Sequence, residues 1–464
     1  MAGSATRLQH INDTHRRYLE LARTGRDAAF LCRYKLETAF WRSRLLDEIV
    51  EAVRTGVRGG DATLVDELCA LAIHLKPGHE AVLERDLNGE LLARVMAQQG
   101  VRVAGRSAHE AAAGPGVDLK IEANRDSAWP FSRWKADPRF SQYEFSGDEV
   151  RYRGVAFRPG DVLLANVNLD GNGVYTALLD PKAYCSHSAV FAVLRDGGRR
   201  FPAVIETYEK GLRAVPLNVF VGPRYVAYAE VLRHAATGLP HAEAFGDAAL
   251  GAIERAKGYN FYTEDPDRDY VSCTTLGRLL YEEVGVGSIA SASEVGDAGV
   301  RRNLERLQYT AFEPFFAPVD YLLNGDFDRV GFIDNNQLPR MVARELVEER
   351  FRERFSAGVL DMRRLPIMFY LNLWAIGHIR KRSLLGKVIS RAMGFDHVSL
   401  PKGPDRMLAA IEPIEAQLGN AIKRLVPHVE TLLAEMHHFD PAALRRDARV
   451  QRLLDEHLPL SWLR

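Results

Sequence analysis

Three residue types that together can carry out acyl transfer occur at His187, Glu206 and Cys273. Cys273 follows an acidic, turn-rich stretch and precedes an amphipathic run that ends at Gly285. This pattern predicts a helix that begins at the cysteine. Unpaired N–H groups and partial positive charge at a helix start lower a thiol pKa and can hold an oxyanion. The position therefore favours a nucleophilic thiol.

A thiol nucleophile also needs a base and a group that orients the base. His187 opens a strand-like run in which every second residue as far as Val193 faces the same side. Glu206 ends the next apolar run, so adjacent strands would bring the two side chains within hydrogen-bonding reach. The chain order of the predicted site is His187, Glu206 and then Cys273. Two amides are alternatives for the orienting group: Asn166 and Asn218.

The middle of the chain reads as strands followed by helices, which predicts an α+β fold. Short β-branched or aromatic runs are separated by turn signals at Pro159-Gly160 and Gly197-Gly198. The runs expected to form strands are 161–165, 187–194, 202–206 and 225–229.

Both flanks of this region are predicted to be helical. Towards the N-terminus an apolar stripe recurs at helical spacing, a second helical stretch covers 61–76, and an aromatic, proline-rich connector covers 126–146. The stripe consists of Phe30, Tyr34, Trp41, Leu45 and Ile49. After Leu338 the chain reads as helix to its end, with Pro413 and Pro427 expected to kink or divide a long helix. The predicted regions are 1–145, 146–335 and 336–464.

Several segments of the middle region resemble the circularly permuted NlpC/P60 cysteine hydrolases of the YiiX/YebB type, which belong to the papain-like superfamily. In the permuted branch the histidine strand precedes the cysteine helix, as it does here. Ser272 precedes the cysteine and Thr274-Thr275 follow it, where the family usually has an aromatic residue and Ser-Glu. The resemblance covers about residues 150 to 335, and its segments begin at Phe157, Tyr184, Ala203, Tyr259, Ser272 and Phe315.

The resemblance implies a permuted papain-like NlpC/P60 core between helical flanks. It further implies that Cys273 is the nucleophile, that His187 acts as general base and then acid, and that Glu206 orients the imidazole. The expected activity is that of a cysteine hydrolase, which attacks a peptide, isopeptide or ester carbonyl through a thiol acyl-enzyme. Two alternatives are an acyltransferase or lipid acyl hydrolase on the same fold, and a degenerate domain used for binding.

The remaining cysteines are expected to be core filler, because a lone cysteine is most often a small buried apolar residue. They are Cys32, Cys69 and Cys185. Although Cys185 and His187 could suggest half of a zinc site, no second pair at ligand spacing accompanies them. We therefore expect no metal and no cofactor.

The overall composition limits the classes of partner. The chain has 464 residues, with 61 Lys plus Arg against 61 Asp plus Glu. Proteins that coat nucleic acid carry a net basic excess, so no nucleic-acid partner is expected. Four cysteines are too few for a disulfide framework, and neither a secretory signal nor a membrane-spanning run is evident, so a cytoplasmic location is expected. The expected substrate is a small peptide, amide or lipid-like acyl compound.

One segment departs from the overall charge balance. From Met362 to Phe395 there are seven Arg or Lys and no Asp or Glu, interleaved with aliphatic and aromatic residues. The pattern fits a core helix followed by a solvated basic helix, or a contact with an anionic membrane surface.

Overall fold

The computed structural model describes residues 143–464, apart from the gaps 153–154, 169–177, 180–184, 209–210, 223–224, 237–240, 263–266, 288, 290–292, 313, 336 and 394–398. It also describes residues 35–37, 39–40 and 43–44, which are helical. The N-terminal apolar stripe, the stretch 61–76, the connector up to residue 142, Cys32 and Cys69 lie outside the described residues. Strand structure begins at Glu144, close to the predicted boundary at 146.

Most described strands belong to one antiparallel sheet, with the spatial order β11-β8-β4-β5-β6-β7. Its strands are β4 (Val162–Val167), β5 (His187–Asp196), β6 (Arg199–Tyr208), β7 (Gly211–Pro216), β8 (Val226–His234) and β11 (Phe327–Asp334). A small antiparallel sheet precedes it, formed by β1 (Glu144–Ser146), β2 (Glu149–Tyr152) and β3 (Val155–Phe157). A parallel pair is formed by β9 (Gly258–Tyr259) and β10 (Tyr270–Val271). Each of the four predicted runs overlaps a strand, although Asp161 and Tyr225 lie one residue before theirs, and the α+β class is confirmed.

The hairpin between β5 and β6 shows how local sequence sets this sheet. Asp196 pairs with Arg199, and the two residues between them, Gly197 and Gly198, both have positive φ. Two successive residues with positive φ form a tight turn whose twist matches that of the paired strands. Glycine adopts a positive φ without steric cost.

After β7, the described chain has five helices that alternate with the later strands and six more that follow the last strand. They are α1 (Leu217–Phe220), α2 (Ala242–Arg255), α3 (Cys273–Val284), α4 (Ala298–Arg306), α5 (Pro318–Leu323), α6 (Leu338–Ala357), α7 (Ile367–Arg380), α8 (Leu384–Met393), α9 (Asp405–Glu435), α10 (Pro441–Arg446) and α11 (Ala448–His457). Helices α2 and α3 contact β5. Each described helix falls short of the length and apolarity needed to cross a bilayer.

Both faces of the six-stranded sheet are buried. Val190 and Ala192 of β5 belong to a large apolar cluster that includes α2, α3 and the C-terminal helices. Ala189, Phe191 and Val193 belong to a second cluster on the opposite face, so the predicted alternation of β5 is confirmed. Burial on two faces explains why the central strands are almost continuously apolar.

The chain after Leu338 is predominantly helical, as predicted, but the prolines do not divide the long helix. Helix α9 continues from Asp405 to Glu435 with Pro413 and Pro427 inside it. Each proline removes one backbone hydrogen bond. The helix nevertheless packs against α6, α7 and α11 and buries residues such as Leu418. Tertiary packing of its apolar face outweighs the local cost.

Candidate catalytic site

Cys273 is the first residue of α3, which confirms the predicted helix start. Ser272 caps the helix, because its Oγ accepts a hydrogen bond from the backbone N–H of Thr275, while the Thr275 hydroxyl accepts one from the backbone N–H of Ser272. This reciprocal cap satisfies two backbone donors. Two of the positions that depart from the usual family pattern therefore stabilise the helix start. Gly285 ends the helix with φ at 81°.

The start of α3 is fixed to two neighbouring elements. Ser188 Oγ donates to the carbonyl oxygen of Cys273 at 2.8 Å, which ties the helix to β5. The hydroxyl of Tyr321 donates to the carbonyl oxygen of Thr274 at 3.1 Å, which ties it to α5. A Cβ atom at Gly277 would lie 1.9 Å from that hydroxyl, so the close approach requires glycine. The thiol is thus held on a rigid support.

His187 lies between the thiol and a carboxylate. It is the first residue of β5, and its Nε2 lies 2.9 Å from Oε2 of Glu206. The Cys273 thiol also lies close enough to interact with this imidazole and raise its pKa. Since Nε2 contacts Glu206, Nδ1 is the ring nitrogen left for the thiol. The structure therefore brings the three predicted site residues together, and all three are buried, with 5 % of His187, 1 % of Glu206 and 8 % of Cys273 exposed.

The two alternative orienting amides have other partners. Asn166 Oδ1 accepts a hydrogen bond from Lys35 Nζ at 3.3 Å. Asn218 Oδ1 accepts one from the hydroxyl of Tyr143 at 2.8 Å. Glu206 is accordingly the residue placed to orient the imidazole.

Glu206 has two further partners that the sequence analysis did not identify. Arg213, opposite Glu206 on β7, donates from Nε to Oε1 at 2.7 Å. The Tyr225 hydroxyl also donates to Oε1 and accepts a hydrogen bond from Arg213 Nη2. One carboxylate oxygen thus faces His187 and the other faces Arg213 and Tyr225. A lone arginine inside the apolar run Gly211–Pro216 was the available signal, because a buried charge requires a partner.

These contacts adjust the ionisation of the three groups. Burial raises the pKa of the Cys273 thiol, but the hydrogen bond and charge of His187 outweigh burial and leave that pKa below its ordinary value. Burial lowers the pKa of His187, but Cys273 and Glu206 outweigh it and raise the pKa to about 9. Burial raises the pKa of Glu206, yet the Arg213 charge and the His187 hydrogen bond give a net lowering. At neutral pH these shifts favour a thiolate beside an imidazolium.

Tyr259 is a third residue that the sequence analysis did not place in the site. Its strand β9 pairs with β10 so that Tyr259 is opposite Val271, two residues before the cysteine. The Tyr259 hydroxyl lies 3.7 Å from Sγ of Cys273. A phenol thus lies beside the sulfur at the start of α3.

The other described cysteine has a different environment. Cys185 is 2 % exposed and belongs to the large apolar cluster, in agreement with its predicted role as core filler. Both Cys185 and Cys273 are free thiols. Within the described ranges, no group of three or more His, Cys, Asp or Glu side chains is placed to hold a metal ion.

Comparisons with models of protein families, with curated proteins and with solved structures gave no match.

Proposed function

We propose that this protein is a cysteine hydrolase that cleaves an amide or ester bond through a thioester intermediate. The observation that carries the proposal is the position of His187, whose imidazole is hydrogen-bonded to Glu206 and interacts with the Cys273 thiol. This is the arrangement of nucleophile, base and orienting group that covalent acyl transfer requires.

We further propose that residues 146–335 form a permuted papain-like core of the NlpC/P60 type. Two features support it besides the sequence resemblance. The strand that carries His187 precedes the cysteine helix in the chain, and that helix packs against the antiparallel sheet that carries His187 and Glu206.

The first half of the reaction forms an acyl-enzyme. The Cys273 thiolate attacks the carbonyl carbon, and a C–S bond forms as the carbonyl oxygen becomes an oxyanion. The oxyanion collapses, the bond to the leaving nitrogen or oxygen breaks, and the His187 imidazolium gives its proton to the leaving group. A thioester on Cys273 and a neutral imidazole remain.

The second half restores the thiolate. Neutral His187 takes a proton from water, whose oxygen attacks the thioester carbonyl, and the collapse of the intermediate releases the carboxylic acid. Throughout the cycle Glu206 keeps Nε2 protonated, so that Nδ1 faces the reacting atoms. It also stabilises the imidazolium when that forms.

Two donors are available for the oxyanion. The backbone N–H of Cys273 belongs to the first turn of α3, where such groups have no partner within the helix, and the hydroxyl of Tyr259 lies 3.7 Å from the sulfur. Donors arranged before the reaction stabilise charge that develops in the transition state without reorganisation.

Replacing Tyr259 by phenylalanine is therefore expected to reduce the rate of acyl-enzyme formation by about 10²-fold, because one oxyanion donor is lost. The rate can be followed as release of p-nitrophenol from p-nitrophenyl esters. Tyr262→Phe is the matched control, since Tyr262 lies in the same segment but stacks on Tyr309. Equal rates in the Tyr259 variant and the wild type would remove Tyr259 from the oxyanion site.

The pH dependence of iodoacetamide labelling tests the proposed thiolate. Because the pKa of Cys273 is lowered and that of His187 is raised to about 9, Cys273 should be labelled rapidly at neutral pH, with an inflection below the ordinary thiol value of about 8.5. Peptide mapping assigns the label, with buried Cys185 as the internal control. His187→Gln should move the inflection upward.

The proposal fails if Cys273 reacts no faster than N-acetylcysteine near neutral pH. That result would favour the degenerate binding domain.

An acyltransferase is the second candidate, because a lipid-like substrate would suit the exposed apolar surface of α7 and α8. Product analysis with and without an added amine or alcohol separates transfer from hydrolysis. Since the reaction needs a reduced thiol, we place it in the cytoplasm.

A further inference from the structure

The most exposed apolar surface of the described chain is the outer face of the α7–α8 hairpin. Nine large hydrophobic side chains are exposed among the described residues, and eight of them lie on these two helices. We name them the hairpin face: Ile367, Met368, Tyr370, Leu371, Trp374, Leu384, Leu385 and Val388. Leu384 is 82 % exposed and Ile367 is 69 % exposed. Soluble surfaces rarely concentrate large apolar side chains in this way, so a partner is expected.

The hairpin face is firmly supported from behind. Helix α7 packs against α9 and buries Phe369 and Ile376. A Cβ atom at Gly386 of α8 would lie 2.1 Å from the carbonyl oxygen of His378, so the two helices approach closely at that glycine. The outward direction of the apolar residues is therefore a property of the packed structure.

The charged side chains of the hairpin segment itself are all basic, although Asp405 and Glu412 of α9 lie against α7. The segment from Met362 to Phe395 carries seven basic residues and no acidic one. Arg380 forms an ion pair with Asp405 at 2.5 Å. Four other basic side chains on or between the two helices are exposed, and they are Lys381, Arg382, Lys387 and Arg391. Exposed apolar residues and exposed cations thus share one short hairpin.

We propose that the hairpin face binds the surface of an anionic lipid bilayer. An apolar face with Trp374 and Tyr370, bordered by lysine and arginine, matches the boundary between acyl chains and negatively charged headgroups. Helices α7 and α8 have 14 and 10 residues, and a spanning helix needs about 20. The hairpin therefore lies in the membrane interface without crossing it.

The hairpin is joined to the candidate site. The chain that returns from α8 runs beside β9, where the backbone N–H of Lys402 donates to the carbonyl oxygen of Tyr259 at 2.8 Å. Arg380 of α7 donates to the carbonyl oxygen of Gly403. Membrane docking would thus suit an acyl substrate carried by the bilayer, a step that rests on the proposed function. The docking itself does not depend on the thiol.

Co-sedimentation of the full chain with vesicles tests the docking. We expect binding to vesicles of phosphatidylcholine mixed with phosphatidylserine, and much weaker binding to phosphatidylcholine alone. Each basic residue near an anionic surface raises affinity about fivefold, so the triple variant Lys381→Glu, Arg382→Glu, Lys387→Glu should reduce affinity at least about 100-fold. The matched control reverses three exposed charges elsewhere: Arg424→Glu, Arg449→Glu and Arg452→Glu.

Fluorescence locates the contact. Emission should shift to the blue when anionic vesicles are added to the wild type, and the shift should be reduced in Trp374→Phe. The double variant Ile367→Ser, Leu371→Ser should also lose binding while keeping the wild-type circular dichroism, because both side chains are exposed.

Three outcomes overturn the proposal. One is no binding of the wild type to anionic vesicles, and another is equal loss of binding in the charge variant and its control. The third is a concentration-dependent dimer, in light scattering, that the Ile367→Ser, Leu371→Ser variant abolishes, because the face would then join two copies of the chain. Cys273→Ala should bind vesicles like the wild type, so failure of the proposed chemistry and failure of docking are distinguishable.

Discussion

Cys273→Ala is expected to reduce turnover of any amide or ester substrate by about 10³-fold or more, because the covalent intermediate can no longer form. His187→Ala should reduce turnover by a similar factor, because the thiol and the imidazole act as one unit. The effects of the two substitutions are then not additive. The double variant should therefore be little worse than either single variant.

Activated esters make this measurable before the natural substrate is known. Release of p-nitrophenol should show a burst in the wild type, and intact mass spectrometry should detect the acyl group on Cys273. Cys185→Ala is the matched control, because Cys185 is a free, buried thiol in the apolar core. A burst that persists in Cys273→Ala, or that disappears in Cys185→Ala with the fold intact, would contradict the assignment of the nucleophile.

Arg213→Met is expected to be the most destabilising single change in the site. Arg213 is 3 % exposed and Glu206 is 1 % exposed, and Nη2 of the arginine lies 2.6 Å from Oε1 of the glutamate. Removing one partner of a buried ion pair costs about 3–5 kcal/mol, because the other charge stays buried without compensation. Arg195→Met is the matched control, since the pair of Arg195 with Asp148 is more exposed and should contribute less than about 1 kcal/mol.

Urea unfolding of the single and double variants measures the coupling free energy between Glu206 and Arg213. The double variant Glu206→Gln, Arg213→Met should lose less stability than the sum of the single changes. Equal losses in Arg213→Met and Arg195→Met would show that the buried pair does not stabilise the fold.

Because the pKa of folded Glu206 is lowered, its stabilisation is present above its unfolded pKa and is lost as pH falls through the folded value. Glu206→Gln should remove that part of the acid sensitivity.

Glu206→Gln also separates the orienting role from stability. The neutral amide no longer supports the imidazolium, so the pKa of His187 should fall below about 9 and the labelling inflection of Cys273 should move upward. A purely structural role of Glu206 would leave that inflection unchanged.

The parts of the fold that were predicted from sequence are those with a strong local signal. The runs around Val162 and Phe191 are apolar and bounded by turn residues, and the start of α3 is marked by a change from acidic loop to amphipathic helix. Strand β11 was not predicted, because its alternating polar residues, such as Asp328, carry little apolar signal and its pairing partner β8 is far away in the chain.

The residues of the candidate site were likewise predictable only where the local sequence carries a signal. His187, Glu206 and Cys273 could be proposed because each occupies the end or beginning of an element that the sequence indicates. Arg213 could be recognised only as a charge that needs a partner, and Tyr259 gave no such signal. The partners of both residues depend on strand register, which only the assembled sheets define. That the prolines leave α9 undivided could not be predicted for a related reason, because the packing that holds that helix together is tertiary.

The pairing of Glu206 with Arg213 across β6 and β7 limits which shifts of strand register the protein can tolerate. Side chains alternate between the two faces of a strand, so a length change that shifts the register of β7 against β6 by one residue would turn Arg213 to the opposite side of the sheet. The carboxylate that holds His187 would then lose its guanidinium, although every residue of the site would still be present. A shift of two residues would preserve the face but would move Arg213 along the strand, away from Glu206. We therefore expect functional variants to keep the present register of β6 and β7, whatever the length of their connection.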